Sequence, residues 1–139
     1  MIESTVLNVM LADDTLCDLL ATYNGLPAIF SDEAPENADK PYIVFRVSKS
    51  ENENKAMQDM TVNIDYFNYN GSRPNSRTAA ERIEFLFDDQ RLQHERYLDI
   101  HFSVFGGDEI GGEDPRDIHY NTQIQAQAVR MKWINETKT

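Results

Sequence analysis

The sequence predicts an α+β domain: a mostly antiparallel sheet of about four to five strands, with N-terminal helices and one long helix packed on one face, and an extended polar hairpin arm. Three observations carry this. First, Ile118, Tyr120, Thr122, Ile124, Ala126 and Ala128 alternate with His119, Asn121, Gln123, Gln125 and Gln127, a period of two with one fully polar face. Second, Tyr42–Ser48 and Met60–Phe67 alternate in the same way and are rich in β-branched and aromatic residues. Third, apolar residues recur at three and four in residues 2–23 and again in 79–87, the spacing of a helix with one buried stripe.

In chain order, Ile2, Val6, Val9 and Met10 form the first stripe, widened by Leu7 and Leu11. Asp13-Asp14-Thr15 interrupts it, and an acidic residue is a good N-cap. The pattern predicts a first helix ending near Ala12 and a short second one carrying Leu16, Leu19, Leu20 and Tyr23, or else one helix continuing across the aspartates. Asn24-Gly25 supplies a left-handed stop and Pro27 prevents resumption. Ala28-Ile29-Phe30 is a short strand, Ser31–Lys40 a polar loop, and Pro41 the start of the next strand.

Between the two alternating strands, Lys49–Met57 has no Gly or Pro for a tight turn and little to bury, which predicts a long hairpin arm. Asn68–Asn75 reads as a connector. Ser76 or Thr78 caps the long helix, whose buried stripe is Ala79, Ile83, Leu86 and Phe87. Phe85 falls nearly opposite Ile83 and Phe87, so this helix is expected to be covered on a second side, by the N-terminal helices or by another subunit. Asp88-Asp89-Gln90 ends it. Tyr97–Phe105 carries aromatics on both faces and reads as a central or doubly covered strand, and Gly106–Pro115 as a flexible acidic loop. After Ala128 the phase reverses: Val129, Met131 and Trp133 become the apolar set. That reversal calls for a bulge near Ala128–Val129 or a change in what covers the strand.

Composition narrows the function. With 139 residues one domain spanning 1–139 is expected. The net charge of −11 argues against a broad electrostatic grip on nucleic acid. The charge is uneven: residues 1–39 hold eight acids and no Lys or Arg, and residues 40–139 hold sixteen acids and thirteen bases. Cys17 is the sole cysteine, and on a helical stripe it reads as a packed side chain. No signal segment and no long apolar run are seen, so a soluble protein in the cytoplasm of the cell that makes it is expected, with no membrane association.

No catalytic constellation emerges. His94, His101 and His119 share no metal-ligand spacing, and His101 with Ser103 lacks an orienting acid in the sequence. Asp13-Asp14 and Asp88-Asp89 sit at helix ends, where caps and solvated turns account for them. The glycine pairs at 106–107 and 111–112 are followed by no Lys-Ser/Thr and lie among acids, unlike a phosphate loop. Arg73, Arg77 and Arg82 gather at the start of the long helix, and Arg77 with Glu81 has ion-pair spacing. A non-enzymatic assembly module without cofactor or metal fits these features best. A small enzyme using carboxylates or His101/His119, and a monomeric adaptor binding one protein through the arm, are the other classes.

The run Val6–Tyr23, then Ile29–Pro35, then Lys40-Pro41-Tyr42-Ile43-Val44-Phe45, with Val62–Phe67, the helix Arg77–Phe87 and the last strand, resembles the tail terminator (tail completion) proteins of long-tailed bacteriophages over nearly the whole chain. The resemblance implies a virion protein of the tail or neck, assembled in the host cytoplasm, with no enzymatic activity. It implies a homo-oligomeric ring, hexameric, that caps the tail tube and ends its polymerisation. Its partners would be the tail tube protein and the head-side connector or stopper, with DNA passing through the bore without specific binding. Another neck or minor tail protein is the nearest alternative. The residues expected at subunit or partner interfaces are Glu51, Asn52, Glu53, Asn54 and Lys55 in the arm, Phe85 on the long helix, and Met131 and Trp133 beyond the phase change.

Overall fold

A computed structural model describes residues 2–49, 57–69, 73–94, 97–111 and 117–130. Helix α1 (Ile2–Leu11) buries Ile2, Val6 and Met10, four residues apart on one face. The chain then breaks at Asp13, whose extended backbone and side chain, accepting from the Leu16 N–H at 2.9 Å, cap α2 (Asp14–Cys17). The two-helix reading therefore holds, and the continuous helix does not form. The second is shorter than its apolar pattern predicts and ends at Cys17 rather than Tyr23. Tight turn bonds follow, Leu19 N–H to Leu16 C=O and Leu20 N–H to Cys17 C=O. Asn24 and Gly25 both take positive φ, 51° and 80°. They do not stop a helix; they form the two-residue turn of a small hairpin, β1 (Thr22–Tyr23) with β2 (Leu26–Pro27).

The main sheet has six strands rather than four to five, in the order β3-β4-β5-β8-β7-β6. They are β3 (Ile29–Ser31), β4 (Tyr42–Lys49), β5 (Met57–Tyr69), β6 (Gln90–His94), β7 (Tyr97–Gly111) and β8 (Asp117–Arg130). Among the described residues only β3–β4 is parallel, and every other pairing is antiparallel. Helix α3 (Arg73–Phe87) lies between β5 and β6 in sequence and packs on β5, β7 and β8.

One sheet face is the core. It gathers Ile43 and Phe45 of β4, Met60, Val62, Ile64 and Tyr66 of β5, Ile100 and Phe102 of β7, and Ile124, Ala126 and Ala128 of β8. The helices cover it with Ile2, Val6, Met10, Leu16, Ala79, Ile83 and Phe87. Phe87 meets Phe102 edge to face, with centroids 5.6 Å apart. The expected stripe of α3 is thus correct at Ala79, Ile83 and Phe87, while Leu86 is half-buried.

Two strands depart from expectation because their order comes from the backbone ladder. Gln90, read as the last residue of the helix end, instead begins edge strand β6, whose remaining residues Arg91–His94 had no assignment from the sequence. Gly106–Gly111, read as a flexible loop, continues β7 and pairs with Gln123 through Ile118 of β8. Glycine suits that ladder: a Cβ on Gly107 would stand 3.3 Å from the Asn121 carbonyl oxygen. Likewise β5 runs through Asn68 and Tyr69, into the stretch expected to be a connector.

The register of β8 bears on the phase reversal. Against β5 it is unbroken from Met57↔Val129 to Tyr69↔Asp117. The bulge near Ala128–Val129 lies on the neighbouring strand: the ladder shifts by one between Tyr97↔Arg130 and Asp99↔Val129. A second shift falls between Val104↔Ile124 and Gly106↔Gln123, leaving Phe105 as the extra residue.

Candidate assembly surfaces

Three surfaces rise above the solvated background. The first is where the N-terminal helices meet α3. Arg82 reaches Asp13 with two bonds, Nη2 to Oδ1 at 2.6 Å and Nε to Oδ2 at 2.8 Å. Asp13 therefore serves α2 as its cap and α3 as its counter-ion. The Arg82 hydrogen bond outweighs the burial of the carboxylate and, with the Leu16 N–H, holds Asp13 below the usual carboxylate range. The same guanidinium lies over the Phe85 ring, 4.6 Å from its centroid. Phe85 is 66% exposed, so its outward face is presented and not covered by the helices of its own chain. Cys17, at the end of α2, is half-buried, its thiol donating to the Met10 carbonyl at 3.4 Å. Burial, then the nearby Asp13, Asp14 and Asp18 carboxylates, push that thiol's pKa up. A raised pKa suits a packed side chain and opposes a nucleophile.

The second surface is a groove of about 590 Å³ between α3 and the outer end of β7–β8. Arg77, Glu81 and Glu84 line it from the helix, Phe105 and Glu109 from β7, and Tyr120 from β8. Phe105 is 57% exposed. Its bulge shifts the following parity, so Gly107 and Glu109, opposite Thr122 and Tyr120, stand on the helical side. No alternation in the sequence signals this, because the register shift appears only once β8 is in place.

The third surface is the open face of the sheet. Gln123, Gln125 and Gln127 are exposed there, as the alternation predicts. Toward the β3 edge a row of rings crosses the strands: Tyr23, Phe30, Tyr42, Phe67 and His119, with successive centroids 4.3–6.1 Å apart. His119 stacks on Phe67, its cross-strand partner, and its Nε2 lies 2.7 Å from Asp65 Oδ1. Asn121 Nδ2 donates to the same oxygen at 2.8 Å. Burial opposes the Asp65 charge, but the His119 and Asn121 hydrogen bonds prevail and its pKa is lowered. His101 pairs instead with Asp89, at 2.7 Å on an exposed rim. It stands opposite Gln127, eight residues along β8 from His119, so the two histidines do not converge. Asp88 accepts the Val104 N–H at 3.1 Å, which gives the Asp88-Asp89 pair a tethering role. Among the described residues no three His, Cys, Asp or Glu side chains gather as a metal site, and no helix is long and apolar enough to cross a membrane.

Of the expected interface residues, Phe85 stands on the first surface. Glu51, Asn52, Glu53, Asn54 and Lys55, with Met131 and Trp133, lie outside the described residues. The Asp65–His119 pair was not singled out, because 54 residues separate its members; the Phe67↔His119 register joins them.

Among the described residues, three helices form a layer on a mostly antiparallel six-stranded sheet. The family model described as tail completion protein gp17 matches residues 6–109, and the chain belongs to that family. A solved chain from the virion of a native gene transfer agent particle superposes with a TM-score of 0.72 at 14% identity, covering 89% of this chain and 91% of its own length. A second solved chain superposes with a TM-score of 0.60 at 11% identity, covering 90% and 94%. At these identities the likeness establishes the fold. No curated protein sequence matches the chain.

Proposed function

We propose that this tail component caps the tail tube as a closed homo-oligomeric ring, ends tube polymerisation and joins the tail to the head-side connector. The carrying observation is the family match over residues 6–109. The fold shared with a chain of a gene transfer agent virion supports it. Six copies around the tube axis is the stoichiometry that the tail terminator resemblance implies. A ring of identical subunits needs two different patches, one on each flank. The exposed Phe85 and the α3–β7 groove are distinct surfaces able to serve in such contacts. A net charge of −11 suits a bore through which DNA slides, since attraction to phosphates would hold it.

Light scattering on a sizing column and electron microscopy of negatively stained protein test the reading. Rings, or a ring-sized species that grows with concentration, are expected. A strict monomer at every concentration that does not bind tail tubes overturns it. Deleting Glu51–Lys55 should keep the fold and weaken the ring; an unchanged ring removes the arm from the interface.

A further inference from the structure

Among the described residues the helix side of the groove carries Glu81 and Glu84 with Arg77, and Phe105 forms an exposed aromatic wall. A matching ligand is a short segment that is both basic and apolar. Arg130-Met131-Lys132-Trp133-Ile134, which begins at the last residue of β8, has two bases, no acid and three large apolar side chains.

We propose that Arg130–Ile134 of one copy docks into the α3–β7 groove of the next copy. This rests on the ring reading above and names the contact that builds it. The strand itself dictates that the contact is between chains. The groove lies beside Tyr120 and Thr122, near the beginning of β8, and the basic segment follows its end at Arg130. The nearest lining position on the sheet is Val104, paired with Ile124, so six residues of strand, roughly 20 Å at ~3.3 Å per residue, separate the groove from Arg130. Trp133, three residues beyond Arg130, advances at most about 11 Å. It does not reach back to the groove of its own chain. A neighbour's groove imposes no such limit. Donor and acceptor at opposite ends of one strand make a head-to-tail contact, the kind that closes into a ring when the rotation per subunit divides the circle.

The test uses the full-length chain. Chains carrying Arg77→Cys are mixed with chains carrying Asn135→Cys and oxidised, with wild type as the control for Cys17. A crosslinked heterodimer is expected in the mixture, and only the wild-type background with either variant alone. Both changes in one chain should give a ladder of oligomers ending at the ring size. A crosslinked monomer overturns the proposal, as does an absent crosslink while rings remain visible in the microscope; in both cases the ring reading stands. Absence of any assembly overturns both. Glu81→Lys with Glu84→Lys should weaken association roughly tenfold, and Arg130→Glu with Lys132→Glu in the mixed partner should restore it, as expected for a few rim ion pairs. Failure of that rescue, with both variants folded, refutes the pairing.

Discussion

Tyr66 offers the sharpest test of how the helical layer is fastened to the sheet. It is fully buried on the core face of β5, and its hydroxyl donates to the Leu19 carbonyl at 3.0 Å. The same oxygen accepts from Asn68 Nδ2 at 3.0 Å, and Asn68 Oδ1 takes the Tyr69 N–H at 2.8 Å. Asn68 is 2% exposed. Tyr66→Phe keeps the ring and removes only the oxygen, leaving the Leu19 carbonyl and an Asn68 N–H without their partner. A buried group left unsatisfied costs about 1–3 kcal/mol. For a domain of this size that corresponds to a fall in Tm of roughly 4–12 °C. Urea unfolding and calorimetry of wild type, Tyr66→Phe, Asn68→Ala and the double variant close a cycle. The two changes should be non-additive, because they break one network. A Tyr66→Phe variant within ~0.5 kcal/mol of wild type would refute the polar clasp. The ionisation has a definite sign. Burial pushes the Tyr66 phenol up to about 12, with the Asn68 bond opposing. The fold favours the neutral phenol, so its contribution is complete below about pH 10 and lost as pH rises towards 12. Ultraviolet titration of the six tyrosines should show one ionising last, and Tyr66→Phe should delete that step.

Asp13→Ala removes the cap of α2, worth about 1 kcal/mol, and separates α3 from the N-terminal helices; urea unfolding at pH 7 should show at least the cap's loss. Because the Asp13 pKa is lowered, its contribution is present above the usual carboxylate value of 3.8 and disappears as pH falls through the folded value; the alanine variant should lose that part of the acid dependence. Asp65→Asn should flatten the acid limb in the same direction, since the Asp65 pKa is also lowered; an acid limb identical to wild type would show that His119 and Asn121 do not hold the charge. Phe85→Ser, at a side chain 66% exposed, should change stability by less than ~0.5 kcal/mol yet reduce assembly on a sizing column; full assembly would take Phe85 out of the interface.

How far the sequence was legible follows from what each element depends on. Helix α1, strands β4, β5 and β8 and the buried side of α3 are written in side-chain periodicity, and they stand where the pattern puts them. Asp13 was readable as a cap because capping is local. Its second bond, to Arg82 across 69 residues, was not. Gln90–His94 and Gly106–Gly111 escaped because neither alternates; both are strands through main-chain pairing with β7 and β8. Asn24-Gly25 was read correctly as left-handed but in the wrong frame, as a helix stop when it is the turn of a hairpin. The groove was invisible for a related reason: its acids sit on two segments far apart in sequence, and Phe105 joins them only through a register shift.

That shift at Phe105 also divides the sheet by its tolerance of length. Strands β5 and β8 are locked together through thirteen consecutive pairs. One residue gained or lost within them would turn half of each strand inside out, so among relatives these two should change length only in twos. Strand β7 already holds two single-residue offsets against β8. It is the place where evolution can add or delete one residue and correct the parity within a few positions. Relatives that differ in what their groove accepts should therefore differ in the number of residues around Phe105, while the paired centre of the sheet keeps its count.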